Sequence, residues 1–140
     1  WASSPAGKEA GCPLFDPSRM IILGFSDGAT VAVELLTTGR FAGGVICSYG
    51  FTGSSLPELA LQRLANIPVW VFHSADDVIY DVRNSDRLVQ QLRKRAITRP
   101  LDTIRYSRYD KDPEGFTGSV RGHTMGITAS KLPELYEWMQ

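Results

Sequence analysis

Arg19-Met20-Ile21-Ile22-Leu23, continued by Gly24-Phe25-Ser26-Asp27-Gly28, is the stretch that decides how the rest of the chain is read. Its first half is a short, nearly continuous apolar run, the pattern of a strand buried on both faces of a parallel sheet. From Ala29 to Thr38 the chain reads as helix, with Val31, Leu35 and Leu36 at helical spacing and Gly39 as its stop. Between strand and helix stands Gly-x-Ser-x-Gly. A serine on so sharp a turn is lifted above the end of the sheet, and side chains in place of the two glycines would meet neighbouring backbone. The following helix aims its unpaired N–H groups and partial positive charge at the same spot. A tetrahedral oxyanion would form there, with the Asp27 N–H as its natural donor. The pentapeptide also occurs in ordinary glycine-containing turns. The strand before it and the helix after it favour Ser26 as a nucleophile.

Outward from this turn the alternation repeats. Gly44–Cys47 reads as a second buried strand and Pro57–Leu64 as a short helix. Val69–Phe72 is an all-apolar third strand. Val82–Arg95 reads as an amphipathic helix with Val82, Leu88, Val89 and Leu92 facing inward. Thr103–Tyr106 is a weaker fourth strand, residues 110–122 a polar, Gly-rich loop, and Leu132–Met139 a closing helix. Strands alternating with helices predict an α/β fold, a parallel sheet with flanking helices. Residues 19–140 read as one domain. Residues 1–18, rich in Gly, Pro, Ser and Ala, read as loop or as the remnant of a preceding segment. The chain opens on Trp1-Ala2-Ser3-Ser4-Pro5 with neither an initiator Met nor a basic and apolar leader. It is therefore expected to be a piece of a longer protein, its domain incomplete at the N-terminus.

A serine hydroxyl needs a base. His73 and His123 are the two histidines. His73 sits at the end of the third strand, ahead of the acids, where packing or a strand-end hydrogen bond is its expected role. His123, in Gly122-His123-Thr124 before the last helix, is where the base of a Ser–acid–His order comes from. The acid should follow an intervening strand. Asp76 and Asp77, just past Phe72, are both candidates, and either could instead cap a turn. Asp86, Asp102, Asp110 and Asp112 are expected to be solvated. Tyr49 and Phe51, after the second strand, either line a substrate pocket or belong to the core.

Composition removes several alternatives. The 15 Lys+Arg and 15 Asp+Glu cancel, which argues against a nucleic-acid partner. No run approaches the roughly 20 apolar residues of a membrane span. At 43% hydrophobic and 21% charged residues the chain has enough apolar material to fold. Cys12 and Cys47 form no disulfide framework, and with the two histidines they give no zinc spacing. No Gly-x-Gly-x-x-Gly follows the first strand, so a dinucleotide site is not indicated.

Taken in order, Asp16-Pro17-Ser18-Arg19, the turn Gly24–Gly28, Val69–His73 with Asp77, Asn84-Ser85, Gly122-His123 and Pro133–Trp138 resemble the phospholipase/carboxylesterase and dienelactone-hydrolase-like serine hydrolases. The resemblance is collinear over about residues 16–139. It implies an α/β-hydrolase fold and hydrolysis of a small carboxylic ester through an acyl-enzyme, with no metal or organic cofactor. It also implies that Ser26 is the nucleophile, Asp77 the acid and His123 the base. The chain departs from the family at His73-Ser74, where the family has His-Gly, and at Tyr80-Asp81, where it has Val-Pro. Only 23 residues precede the Gly24–Gly28 turn, whereas these hydrolases carry a much longer stretch there, with the first strands and a second oxyanion donor. The expected partners are accordingly a small ester and either the missing N-terminal half or another subunit. The competing reading is a non-catalytic, hydrolase-like subunit of a larger assembly.

Overall fold

The computed structural model describes residues 16, 19–50 and 56–140. Four strands, β1 (Ile21–Phe25), β2 (Gly43–Cys47), β3 (Val69–Ser74) and β4 (Ile104–Tyr109), form one sheet in that order. All neighbouring strands are parallel, with Phe25 opposite Cys47, Cys47 opposite Phe72 and Ser74 opposite Tyr109. The carboxyl ends of all four strands therefore open onto one edge, where ligands of open parallel sheets bind. The helices are α1 (Asp27–Leu36), α2 (Glu58–Leu64), α3 (Arg83–Arg95), α4 (Pro100–Thr103), α5 (Met125–Ser130) and α6 (Pro133–Trp138).

Each face of the sheet carries its own core. On one face Leu36 of α1, Leu64 of α2 and Leu88 and Leu92 of α3 pack against Ile46, Val71 and Ile104. On the other, Met125 and Ala129 of α5 and Leu135 of α6 cover Val45, Cys47 and Phe72. Trp70 anchors the second layer. It stacks on Phe72 at 5.1 Å, meets Trp138 edge-on at 5.8 Å and carries the Arg105 guanidinium over its ring.

The elements occur where periodicity put them, with three corrections. First, β1 is not buried on both faces. It is the edge of the described sheet, and Leu23 is 50% exposed. Second, α1 turns a different face inward: Ala29, Ala32, Val33 and Leu36 are buried, whereas Val31 and Leu35 are exposed. The small residues face the strand because helix and strand approach very closely there. A Cβ on Gly24 would lie 2.7 Å from that of Ala32 and nearer still to the Gly28 carbonyl. Gly28, by contrast, would hold a Cβ in open space, so only one of the two flanking glycines is sterically required. Third, two short helices were not foreseen. α4 starts on Pro100, and α5 begins directly after the His123 turn. Phe51 and the stretch 1–15 lie outside the described residues.

Two outcomes follow for the 140-residue chain. Gly28→Ala should raise stability by up to about 1 kcal/mol through helix propensity, while Gly24→Ala should lower it by roughly 1–3 kcal/mol through overpacking; urea midpoints at low protein concentration distinguish them. Size-exclusion chromatography across a concentration series should show self-association, because β1 is the apolar edge of the sheet among the described residues. A monomer at every concentration would contradict this.

Candidate active site

The turn after β1 is strained. Ser26 has φ 58° and ψ −127°, a conformation that side chains rarely adopt. Its N–H donates to the Cys47 carbonyl at 3.0 Å, and its carbonyl accepts from Ala29 at 2.9 Å to start α1. The hydroxyl is thereby placed over the carboxyl edge of the sheet. Asp27 is the first residue of α1, so its N–H has no carbonyl one turn earlier to bond.

The Asp77 turn follows β3. One carboxylate oxygen of Asp77 accepts the N–H groups of Ile79 and Tyr80, each at 2.8 Å. The other faces two imidazoles, His123 Nδ1 at 2.8 Å and His73 Nε2 at 3.2 Å. Burial by itself raises the pKa of this carboxyl. The bonds from His73, the Tyr80 N–H, His123 and the Ile79 N–H outweigh that and hold it below the usual carboxylate range. Asp77 is thus an ionised acceptor, so His123 Nδ1 carries the proton. That leaves His123 Nε2 as the acceptor for the Ser26 hydroxyl, 2.8 Å away. Phe25 and Tyr80 flank the His123 ring at 5.1 and 5.3 Å.

What brings His123 to Asp77 is a glycine. Gly122 has φ 73°, and a Cβ there would lie 2.5 Å from the Asp76 carbonyl oxygen. The bare Gly122 backbone rests directly on the Asp76–Asp77 peptide. The Val78 N–H donates to Arg121 at 3.1 Å and locks the two turns together.

His123 therefore bridges Ser26 and Asp77, bonding each through one ring nitrogen, with Asp27 at the Ser26 turn. Asp76, the other candidate acid, points elsewhere. It accepts from the Ser74 hydroxyl at 2.5 Å and the Asp112 N–H at 3.1 Å. Tyr49 is 4% exposed and belongs to the core cluster of one sheet face. Its phenol pKa is raised by burial and by the nearby Glu34. Cys47 is buried, and burial pushes its thiol up to about 12.

Two residues carry more than the sequence assigned them. His73 is fully buried. Its Nε2–H faces the Tyr80 carbonyl and Asp77, and its Nδ1 accepts the Ser85 hydroxyl at 2.7 Å. It packs at the strand end as expected, but it also orients the acid; the i,i+4 spacing to Asp77 was the available signal. Asp112 is not solvated. It is buried, accepts the Thr124 N–H at 3.0 Å together with the Thr124 hydroxyl, and takes the Thr128 hydroxyl at 3.2 Å. It fixes the chain next to His123, and nothing in its polar surroundings marked it. Asp86 is also engaged, by the Tyr106 hydroxyl at 2.7 Å and by Arg108.

The phospholipase/carboxylesterase family profile matches residues 7–116. The chain belongs to this family. The match takes in the Ser26 and Asp77 turns and stops short of His123. Among solved structures, a thermostable esterase shares 26% identity at a TM-score of 0.69, covering 89% of this chain and 31% of that one. The protein TT1662 from Thermus thermophilus shares 20% at 0.58, covering 96% and 58%. A Klebsiella pneumoniae protein assigned as a dienelactone hydrolase shares 17% at 0.55, covering 95% and 53%. The fold is thus that of the α/β hydrolases. The chain spans 31% to 58% of the length of these family-like structures. No curated protein sequence matches it. No helix among the described residues is long and apolar enough to cross a membrane.

The lowered pKa of Asp77 has a pH signature. A carboxylate whose folded pKa lies below its unfolded one stabilises the fold above the unfolded value, about 4. That contribution is lost as pH falls through the lower, folded value. Asp77→Asn should therefore flatten the acid limb of stability, read from urea midpoints between about pH 2 and about pH 6. Parallel acid limbs in variant and wild type would show that these hydrogen bonds do not hold the carboxylate.

Proposed function

We propose that this chain supplies the catalytic residues of a carboxylesterase acting through an acyl-enzyme. The observation that carries the reading is the unbroken hydrogen-bond chain from the Ser26 hydroxyl through His123 to Asp77, 2.8 Å at each step. Ser26 Oγ attacks the ester carbonyl and passes its proton to His123 Nε2. Charge collects on the carbonyl oxygen, within reach of the Asp27 N–H. The second donor is expected from sequence preceding β1 or from another subunit. Collapse breaks the bond to the alcohol, which leaves with the proton from Nε2. Water then attacks the acyl carbon with His123 again as base, releasing the acid and restoring the Ser26 hydroxyl. Throughout, Asp77 holds the ring in one tautomer and balances the imidazolium, so no metal or organic cofactor enters the scheme.

The test is made in the full-length protein. Ser26→Ala should lose on the order of 10³–10⁶ in kcat for ester hydrolysis while remaining folded. Asp77→Asn should lose about 10⁴, because amide and imidazole then favour the wrong tautomer. Asp76→Asn should keep nearly normal kcat and lose roughly 0.5–2 kcal/mol of stability. Undiminished turnover in Ser26→Ala would sink the reading. Turnover lost in Asp76→Asn but kept in Asp77→Asn would move the acid one residue back.

A further inference from the structure

The Tyr80 backbone holds Asp77 and His73, while its side chain flanks His123 and stands at the reacting atoms. Its ring lies where a Cβ of Gly50 would be, so the bare end of the chain after β2 is the floor on which it rests. Its edge meets the His123 imidazole at 5.3 Å and 80°. Its hydroxyl donates to the Asp27 carboxylate and lies close enough to the Ser26 hydroxyl for the two to interact. The phenol stays protonated, since the bond to Asp27, with burial and the Asp27 charge behind it, raises its pKa. Three separate anchors, the Gly50 floor, His123 and Asp27, therefore fix the ring as a rigid wall beside the nucleophile.

Which part of a substrate meets that wall follows from proton transfer. His123 Nε2 must hand its proton to the departing alkoxide, so the alcohol group has to lie next to the imidazole. Tyr80 packs on that imidazole and reaches Ser26, so it borders the alcohol and not the acyl chain. We propose that Tyr80 is a specificity-determining residue that restricts the leaving alcohol to small, slender groups while leaving acyl length unconstrained. The inference rests on the esterase reading above and adds to it which half of the ester is selected.

The experiment compares kcat/KM for methyl butyrate with cyclohexyl butyrate, and for methyl acetate with methyl octanoate, in the full-length protein. Wild type should favour the methyl over the cyclohexyl ester. Tyr80→Val should raise the cyclohexyl-to-methyl ratio by roughly tenfold or more, the scale on which a few methylenes are discriminated, and leave the octanoate-to-acetate ratio within about threefold. Tyr80→Phe keeps the ring and should keep the alcohol ratio within about threefold of wild type. Should the valine variant not fold, Tyr80→Leu removes the ring with less loss of volume and is judged by the same ratios. A folded, active Val or Leu variant with an unchanged alcohol ratio, or with the acyl ratio shifted instead, would overturn the proposal. A wild type that hydrolyses none of these esters, and whose Ser26 does not react with a fluorophosphonate, would overturn the esterase reading and this inference with it.

Discussion

The backbone of Ser26 is the constraint from which the rest of the site is organised. A non-glycine residue held at φ 58° and ψ −127° costs roughly 1–3 kcal/mol, and the surrounding structure must supply it. It does so from both sides of the turn. The Ser26 N–H is captured by the last residue of β2, and α1 starts at once from the Ser26 carbonyl. Gly24 allows the helix to lie so close to the strand that the turn cannot relax into a wider loop. The same geometry that strains the residue points its hydroxyl over the sheet edge and the first N–H of α1 beside it. Relaxing the strain would move the Ser26 hydroxyl and the Asp27 N–H apart together.

The partners of Ser26 lie on loops, the more mobile parts of a fold, where functional residues are often placed provided the scaffold holds them rigidly. Here the loops are tied down by buried polar groups. Asp76 holds the Asp112 backbone, Asp112 holds Thr124, and Gly122 lies directly on the Asp76–Asp77 peptide. A carboxylate as buried as Asp112 is tolerable only because its oxygens are bonded to N–H and hydroxyl donors. His123 is thus placed by its neighbours on either side before it bonds Asp77 or Ser26. This division of labour explains why two adjacent aspartates follow β3: one faces the imidazole, the other anchors the loop that carries it.

These contacts also mark the boundary of what the amino-acid order could reveal. The strands, the helices beside them and the Ser26 turn were legible because apolar periodicity and glycine spacing are local signals. Ser26, His123 and the pair Asp76 and Asp77 were legible as candidates from strand-end position and order, but the choice of Asp77 came only through collinear resemblance, since the three lie on separate turns. Residues whose roles depend on distant partners left no local mark. Asp112 sits between Lys111 and Pro113 in a polar, Gly-rich loop and reads as solvated, yet it is buried. The inward face of α1 departs from its hydrophobic pattern for a related reason. Val31 and Leu35 look like core by hydrophobicity, but close approach to Gly24 selects Ala29 and Ala32 instead. Tyr80 stood out as a departure from the family pattern, and its position over Gly50 became apparent only once β2 and the Asp77 turn were brought together.

The burial of the site runs in one direction, and that direction suits proton transfer. The Asp77 side chain is inaccessible and ionised, the His123 side chain is 6% exposed, and Ser26 lies at the opening. A fixed negative charge at the inner end, in a medium of lower effective dielectric than water, stabilises an imidazolium more strongly than a solvated carboxylate would. In the proposed reaction this benefit would arise only once His123 took the serine proton, so it would belong to the transition state more than to the resting site. His73 adds a further donor to this arrangement. Its Nε2–H faces the same oxygen of Asp77, so the carboxylate remains well solvated by protein donors and stays charged despite its burial. A more exposed acid would have its field weakened by water, and an equally buried acid without His73 and the two backbone donors would have its pKa raised by burial rather than lowered.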